Sequence, residues 1–290
     1  MALQRVGVVG FGLMGHGIAQ VAAQAGYQVT VREPEQRFID AGFRRVDASL
    51  ERLVQSGRLT EADAKTARSR IETTTEVRAF RECQVVVEAV TEDLAIKKAL
   101  YRELDAACPP GTIFASNTSS MSIAELAAAT ARPDRFAGLH FFNPVQVMKL
   151  VEIVKAITTS DETIATLREF TAKLGKTGVV CKDTPGFIVN RLLIPYLNAA
   201  IRALEEGVAT PDEIDEAIKL GLGHPMGPFT LLDYVGLDTQ YHASNVLYDE
   251  FKQPDQAPPP LLKRMVLAGH HGRKSGRGFY RYDEKGERTK

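Results

Sequence analysis

The 290-residue chain carries 36 Lys and Arg against 36 Asp and Glu, with 44% hydrophobic and 25% charged residues. That balance leaves no net field to draw a nucleic acid or a membrane surface, and the length allows two domains with a sizeable core. Cys83, Cys108 and Cys181 are odd in number and widely spaced, so they match neither a disulfide framework nor a metal site and suit a reducing compartment.

The first predicted strand begins at about Arg5, which leaves no room for a targeting peptide, and no apolar run reaches membrane-spanning length; a cytoplasmic protein is expected. The strand, residues 5–10, runs straight into GFGLMG, with Gly10, Gly12 and Gly15 spaced G-x-G-x-x-G around Leu13 and Met14. Ile18, Val21, Ala22 and Ala25 then recur at helical spacing until Gly26 stops the helix, which His16 opens from an exposed position. A second strand, residues 27–31, ends at Arg32-Glu33, and Glu33 lies 23 positions after Gly10. Glycines so placed permit a tight turn and let backbone approach a pyrophosphate at the helix N-terminus. An acid at position 33 would bond the adenosine ribose hydroxyls and repel a 2′-phosphate. The spacing therefore predicts a dinucleotide site preferring NAD, with Arg32 keeping NADP as a minor option.

Residues 38–76 read as polar and helical, two helices broken at SGRLTEAD with Thr60-x-x-Asp63 as a capping box. This excursion is either a lid over substrate or surface decoration. Alternating strand and helix then resume: strand 84–90, helix 92–107, strand 112–116 ending in NTSS, and a helix capped by Ser122 and Glu125. Ligands in open α/β sheets gather beyond the C-terminal strand ends. Two such ends carry polar groups, Glu92 with Lys97 and Asn117 with Ser119, although taken alone Ser119 or Ser120 reads better as a helper in capping the next helix.

Next come two apolar strands, residues 136–142 and 150–156, joined by a turn opening at Asn143-Pro144. His140 closes the first and Glu152 sits inside the second among Leu150, Val151, Ile153 and Val154. A lone glutamate there is costly to bury ionised without a partner. If the strands pair, His140 is its nearest partner, and a carboxylate on one ring nitrogen fixes the tautomer of the other, which is how a general base is built. Taken in isolation, a His and a Glu read more readily as a satisfied core histidine and an edge glutamate; the rest of the chain reverses that.

A strand at 176–180 leads to the turn Asp183-Thr184-Pro185-Gly186, a domain boundary, after which nearly every segment reads helical. Asn190 falls in the first turns of a helix reaching about 206; its amide faces inward, or else caps or meets solvent. Pro195 should kink that helix. Further helices start at Thr210-Pro211, Pro228 and Asp238, the last with Tyr241, Ser244, Tyr248 and Phe251 on one stripe; a proline-rich link, 254–260, precedes a final helix ending at Gly269. His224, His242, His270 and His271 lack ligand spacing, so no metal is expected. The fold class is α/β: a Rossmann-type doubly wound sheet over 1–184 with a helical-hairpin insertion at about 38–76, followed by an all-α domain over 185–290.

Read together, NTSS at 117–120, HFFNPV at 140–145, MKLVE at 148–152 and DTPGFIVNR at 183–191 resemble a short-form L-3-hydroxyacyl-CoA dehydrogenase, of the 3-hydroxybutyryl-CoA kind, essentially end to end. The resemblance implies that His140 is the catalytic base paired with Glu152, and that Ser119 and Asn190 contact the substrate's oxygens. It implies Gly10, Gly12, Leu13, Met14, Gly15, Glu33, Glu92, Lys97, Ser119 and Asn143 as cofactor contacts. It also makes the helical excursion a cover for the CoA tail, with Ser49 at a CoA-contact position. Where relatives often carry a lysine in this helix pair the chain has Gln55-Ser56-Gly57-Arg58, so Arg58 is the substitute candidate; Glu33 stands where Asp is more usual. Implied too are an acyl-CoA substrate and a homodimer through the C-terminal domain. Two rival readings are a dehydrogenase of a free hydroxy acid on the same fold and a catalytically silent NAD-binding protein.

Overall fold

The computed structural model describes residues 3–289. The chain forms two units, Met1–Phe187 and Ile188–Lys290. In the first, β1 (Arg5–Val9), β2 (Gln28–Arg32), β3 (Ile71–Thr74), β4 (Val85–Glu88), β5 (Ile113–Ser116), β6 (Phe136–Phe141), β7 (Leu150–Lys155) and β8 (Thr177–Lys182) make one sheet in the order β3-β2-β1-β4-β5-β6-β7-β8. Pairing is parallel throughout except between β6 and β7, which are antiparallel.

The apolar runs are buried on both faces because the sheet is covered on both faces. Along β4, Val85 and Val87 enter one core layer and Val86 the other; along β5, Ile113 and Ala115 oppose Phe114; along β6, Ala137, Leu139 and Phe141 oppose Phe136. Period-two alternation thus persists beneath what reads as an unbroken apolar string. Strand order reverses at β1, between β2 and β4, which opens the ligand-binding crevice of such sheets beyond the C-terminal strand ends.

The helices of this unit are α1 (Gly15–Gln24), α2 (Gln36–Gln55), α3 (Glu61–Ser69), α4 (Leu94–Ala107), α5 (Ile123–Ala127) and α6 (Asp161–Lys173). α2 and α3 form the excursion. Gly42 lets α2 lie on the glycine-rich turn, since a Cβ there would fall 2.1 Å from the Phe11 ring. Phe43 meets Phe11 edge-on at 5.2 Å, and Arg68 of α3 stacks over Phe43 and bonds Asp47 at 2.8 Å. Thr60 caps α3 by accepting from the Asp63 amide.

In this unit β3 and α6 are additional to the elements expected. Residues 71–74, read as the end of the polar helical excursion, are the edge strand β3; with one paired neighbour and only Ile71 fully buried, IETT shows no strand signal beyond its β-branched residues. α6 buries Ile164, Leu167, Phe170 and Thr171 behind an N-cap at Ser160. The expected capping box at Ser122 is half made: its hydroxyl accepts from the Glu125 amide, but the Glu125 carboxylate bonds Lys98 at 2.6 Å.

The second unit contains α7 (Val189–Glu205), α8 (Pro211–Leu222), α9 (Pro228–Val235), α10 (Leu237–Phe251) and α11 (Pro260–Leu267) around Leu197, Ile201, Phe229, Leu232, Leu237 and Leu262. Thr210 and Glu213 make a full capping box and Pro195 lies inside α7. α10 does not bury the expected stripe: Leu237, Gln240, Ser244 and Leu247 face inward, while Tyr248 is exposed. Gln240 Nε2 and Ser244 Oγ both donate to Asn198 Oδ1 of α7, at 2.9 and 3.1 Å, so the polar side chain at 240 takes a buried place that a hydropathy pattern assigns to the surface. The unit is also not wholly helical, because β9 (Arg281–Tyr282) and β10 (Arg288–Thr289) form a hairpin. Asp233 holds its base by accepting from the Phe279 and Tyr280 amides and the Tyr282 hydroxyl.

Candidate active site

The antiparallel step from β6 to β7 makes the site. Register places His140 directly opposite Glu152, and His140 Nδ1 lies 2.7 Å from Glu152 Oε2. The His140 side chain is 8% exposed and that of Glu152 1%. A buried carboxylate on Nδ1 fixes the Nδ1–H tautomer and leaves Nε2 as the proton-accepting nitrogen. Phe142 and Phe187 flank the imidazole, with ring centroids at 4.6 and 5.7 Å. Burial, then the Glu152 and Asp183 carboxylates, pushes the Cys181 thiol up to about 12, so this neighbour stays neutral beside the pair. Antiparallel pairing sets Glu152 at the start of β7 and His140 at the C-terminal end of β6, the edge of the sheet where ligands bind.

The glycine-rich turn occupies the C-terminal end of β1. Gly10 has φ +96°, and a Cβ there would lie 2.6 Å from the Ala89 carbonyl oxygen; one on Gly15 would lie 1.8 Å from the Gly10 oxygen. Gly12 differs: nothing stands within 4 Å of where its Cβ would be. Gly15 is thus fixed by the turn's own backbone, Gly10 by its positive φ and the backbone following β4, and Gly12 faces open space. Leu13, 63% exposed, and Met14 complete the turn. Glu33 stands beside it and accepts from the Phe11 amide at 2.5 Å. His16 is half-buried rather than exposed, with Nδ1 2.8 Å from the Gly12 oxygen; burial, with Arg45 and Arg52 adding to it, lowers its pKa.

At the ends of β4 and β5 lies a group of which only Glu92, Lys97, Asn117 and Ser119 stand out in the sequence. Lys97 is 1% exposed and bridges two carboxylates, Glu88 at 2.5 Å and Glu92 at 3.0 Å. Glu92 precedes α4 instead of opening it, since Asp93 is the cap. Its Oε1 accepts from the Thr118 hydroxyl at 2.8 Å and the Ser119 amide at 2.9 Å. Burial raises the Glu92 pKa, but the Lys97 ammonium and the Ser119 amide outweigh it and hold the carboxyl below its ordinary value. Glu88 is fully buried and accepts from the Val90 amide and from the Ser116 hydroxyl, each at 2.7 Å. The signal for Glu88 is a lone acid within an apolar run, as Glu152 is in β7. Asp183 was read only as a turn residue, yet it caps α5 through the Ile123 and Ala124 amides and bonds the Ser122 hydroxyl. Capping by Ser122 and Asp183 leaves the Ser119 hydroxyl free of that duty.

Asn117 accepts from the Phe141 amide at 2.9 Å and ties the end of β5 to β6. Asn143 is exposed and precedes Pro144 through a cis peptide bond. Ser49 is buried on α2, and Arg58 is exposed in the turn after it. Asn190 belongs to the first turn of α7 in the second unit. Among the described residues no cluster of three or more His, Cys, Asp or Glu could hold a metal, and no helix is long and apolar enough to cross a membrane.

Comparison with known proteins places the whole chain in one family. The sequence profile "3-hydroxyacyl-CoA dehydrogenase, NAD binding domain" matches residues 5–184, and "3-hydroxyacyl-CoA dehydrogenase, C-terminal domain" matches residues 186–282. The 3-hydroxybutyryl-CoA dehydrogenase of Mycobacterium tuberculosis is 50% identical over 97% of this chain and 99% of its own length. A probable 3-hydroxybutyryl-CoA dehydrogenase of Deinococcus radiodurans is 48% identical over 96% of this chain and all of its own. The crystal structure of (S)-3-hydroxybutyryl-CoA dehydrogenase from Ralstonia eutropha superposes with a TM-score of 0.95 at 44% identity, covering 98% of this chain and 100% of that one. With a buried His–Glu pair at the sheet edge, an open glycine turn, and both domain profiles matched in order, the chain belongs to the 3-hydroxyacyl-CoA dehydrogenase family.

Proposed function

We propose that this protein is an NAD-dependent oxidoreductase interconverting (S)-3-hydroxyacyl-CoA and 3-ketoacyl-CoA, with short acyl chains such as 3-hydroxybutyryl and acetoacetyl as its substrates. The observation that carries this reading is the 2.7 Å contact between His140 Nδ1 and Glu152 Oε2, buried at the sheet edge where ligands gather. The open face of Gly12 and the acid at position 33 fit NAD: the turn at Gly10, Gly12, Leu13, Met14 and Gly15 would take the pyrophosphate, and Glu33 the adenosine ribose. Bound NAD supplies the redox chemistry by accepting or returning a hydride.

The chain's own residues manage the proton. In oxidation, neutral His140 accepts the 3-hydroxyl proton at Nε2 while Glu152, on Nδ1, steadies the imidazolium that forms. In reduction, the imidazolium polarises the keto oxygen and then protonates it. Ser119 and Asn190 are proposed as neutral donors that orient the substrate's oxygens without adding charge. Glu92, Lys97 and Asn143 are proposed to border the cofactor, with Lys97 acting through its two carboxylates because its ammonium is buried. Ser49 and Arg58 are proposed for the CoA tail.

The exposed Leu192, Leu220, Leu222 and Leu267 of the second unit support the homodimer proposed for it. A cytoplasmic location is proposed from the three free cysteines. The activity is tested by initial rates of NADH oxidation with acetoacetyl-CoA, a longer 3-ketoacyl-CoA and free acetoacetate at equal concentration. Acetoacetyl-CoA is expected to turn over fastest. A preference for free acetoacetate would contradict the reading and favour a free hydroxy acid as substrate.

A further inference from the structure

Five side chains at the ends of β4 and β5 close into a ring. Glu88 Oε2 accepts from Ser116 Oγ at 2.7 Å, and Ser116 Oγ in turn accepts from the Thr118 amide at 3.2 Å. Thr118 Oγ1 donates to Glu92 at 2.8 Å, Lys97 bridges Glu92 and Glu88 at 3.0 and 2.5 Å, and the circuit is complete. Thr118 also accepts from the Ser120 and Met121 amides, and Glu92 from the Ser119 amide. Consecutive amides from 118 to 121 are therefore bound to the ring.

A glutamate that is 0% exposed carries a desolvation cost that a core valine would avoid, and its hydrogen bonds are what offset it here. Nothing in the acid–base chemistry uses Glu88. Its carboxylate instead reaches the loop from both sides, through Ser116 to the Thr118 amide and through Lys97 and Glu92 to Ser119. An apolar strand end would leave that loop free to change conformation, with the Ser119 hydroxyl moving with it.

We propose that Glu88 is a positioning residue for the reaction, and that the ring Glu88–Ser116–Thr118–Glu92–Lys97 holds the Ser119 hydroxyl at the place where substrate oxygen is bound. The inference rests on the reading of Ser119 as a substrate contact.

The test is a double-mutant cycle with two readouts. Glu88→Gln and Ser116→Ala each cut the ring at a different bond, and each is made in the wild-type and in a Ser119→Ala background. In kcat/KM for acetoacetyl-CoA, Ser119→Ala is expected to lose roughly 10- to 100-fold, and each ring variant about tenfold. Combined with Ser119→Ala, neither ring variant is expected to add more than about twofold. Hydrogen exchange of the cofactor-free protein is expected to quicken at residues 118–121 by about tenfold or more in Glu88→Gln and Ser116→Ala, and to stay unchanged in β1 and β6. Should Glu88→Gln fail to fold, Ser116→Ala carries both readouts. Losses that multiply in the Ser119→Ala background, or unaltered exchange at 118–121, would overturn the positioning role while leaving Ser119 as a contact. Wild-type kcat/KM in Ser119→Ala would overturn the contact, and the inference with it.

Discussion

At the scale of single residues, function reduces to where protons sit. Glu152 holds His140 at Nδ1, and in the proposed mechanism this leaves Nε2 to face the substrate. Replacing it by Gln keeps shape but offers an amide that can leave the ring in the wrong tautomer; kcat is expected to fall by roughly 10²- to 10⁴-fold, measured by NADH oxidation with acetoacetyl-CoA. Wild-type turnover would remove Glu152 from the mechanism. Glu92 titrates in the opposite setting. Its folded pKa lies below the ordinary 4.5, so its stabilising contribution is fully present above that value and is lost as pH falls through the folded pKa. Glu92→Gln is therefore expected to melt below wild type at pH 7, with the gap closing toward pH 3. A gap independent of pH would show that charge at Glu92 is not what holds the Ser119 loop.

At the scale of elements, the two glycines of the nucleotide turn separate by what a methyl group would meet. Gly15→Ala would drive a Cβ into the Gly10 carbonyl and must distort the turn, whereas Gly12→Ala meets only open space. Gly12→Ala is expected to keep the wild-type melting temperature within about 2 °C while NADH affinity drops by roughly tenfold or more. Gly15→Ala is expected to lower both. Equal effects from the two, by fluorescence titration and thermal melting, would contradict the roles assigned to them.

The same elements show what could be read from sequence. β1, β4 and β5 were legible because strands buried on both faces are continuous apolar runs, and the β6–β7 pair because a lone His and a lone Glu interrupt two such runs. β3 was not, because an edge strand with a single fully buried residue has little pattern to display. The buried face of α10 turns through Gln240 rather than Tyr248 because Gln240 donates its amide to Asn198, and a side chain's hydrogen-bond partner is invisible in its own sequence neighbourhood. Glu88 carries the same mark as Glu152 but has no histidine opposite, so nothing in its sequence neighbourhood points to the ring it closes.

At the scale of the whole molecule, two units divide the labour: one builds the sheet edge with its turn and dyad, and the other is a helical body with exposed leucines. Those leucines make the second unit the expected dimer surface, and the mass by light scattering is expected to be twice the 31.8 kDa of the chain. A monomer at micromolar concentration would contradict that assignment without touching the chemistry. The chemistry stands or falls with His140. The most direct measurement sets NADH binding beside turnover with acetoacetyl-CoA in His140→Gln and wild type. Binding within about twofold of wild type with kcat reduced by roughly 10²- to 10⁴-fold is the expected result; turnover close to wild type would contradict the account.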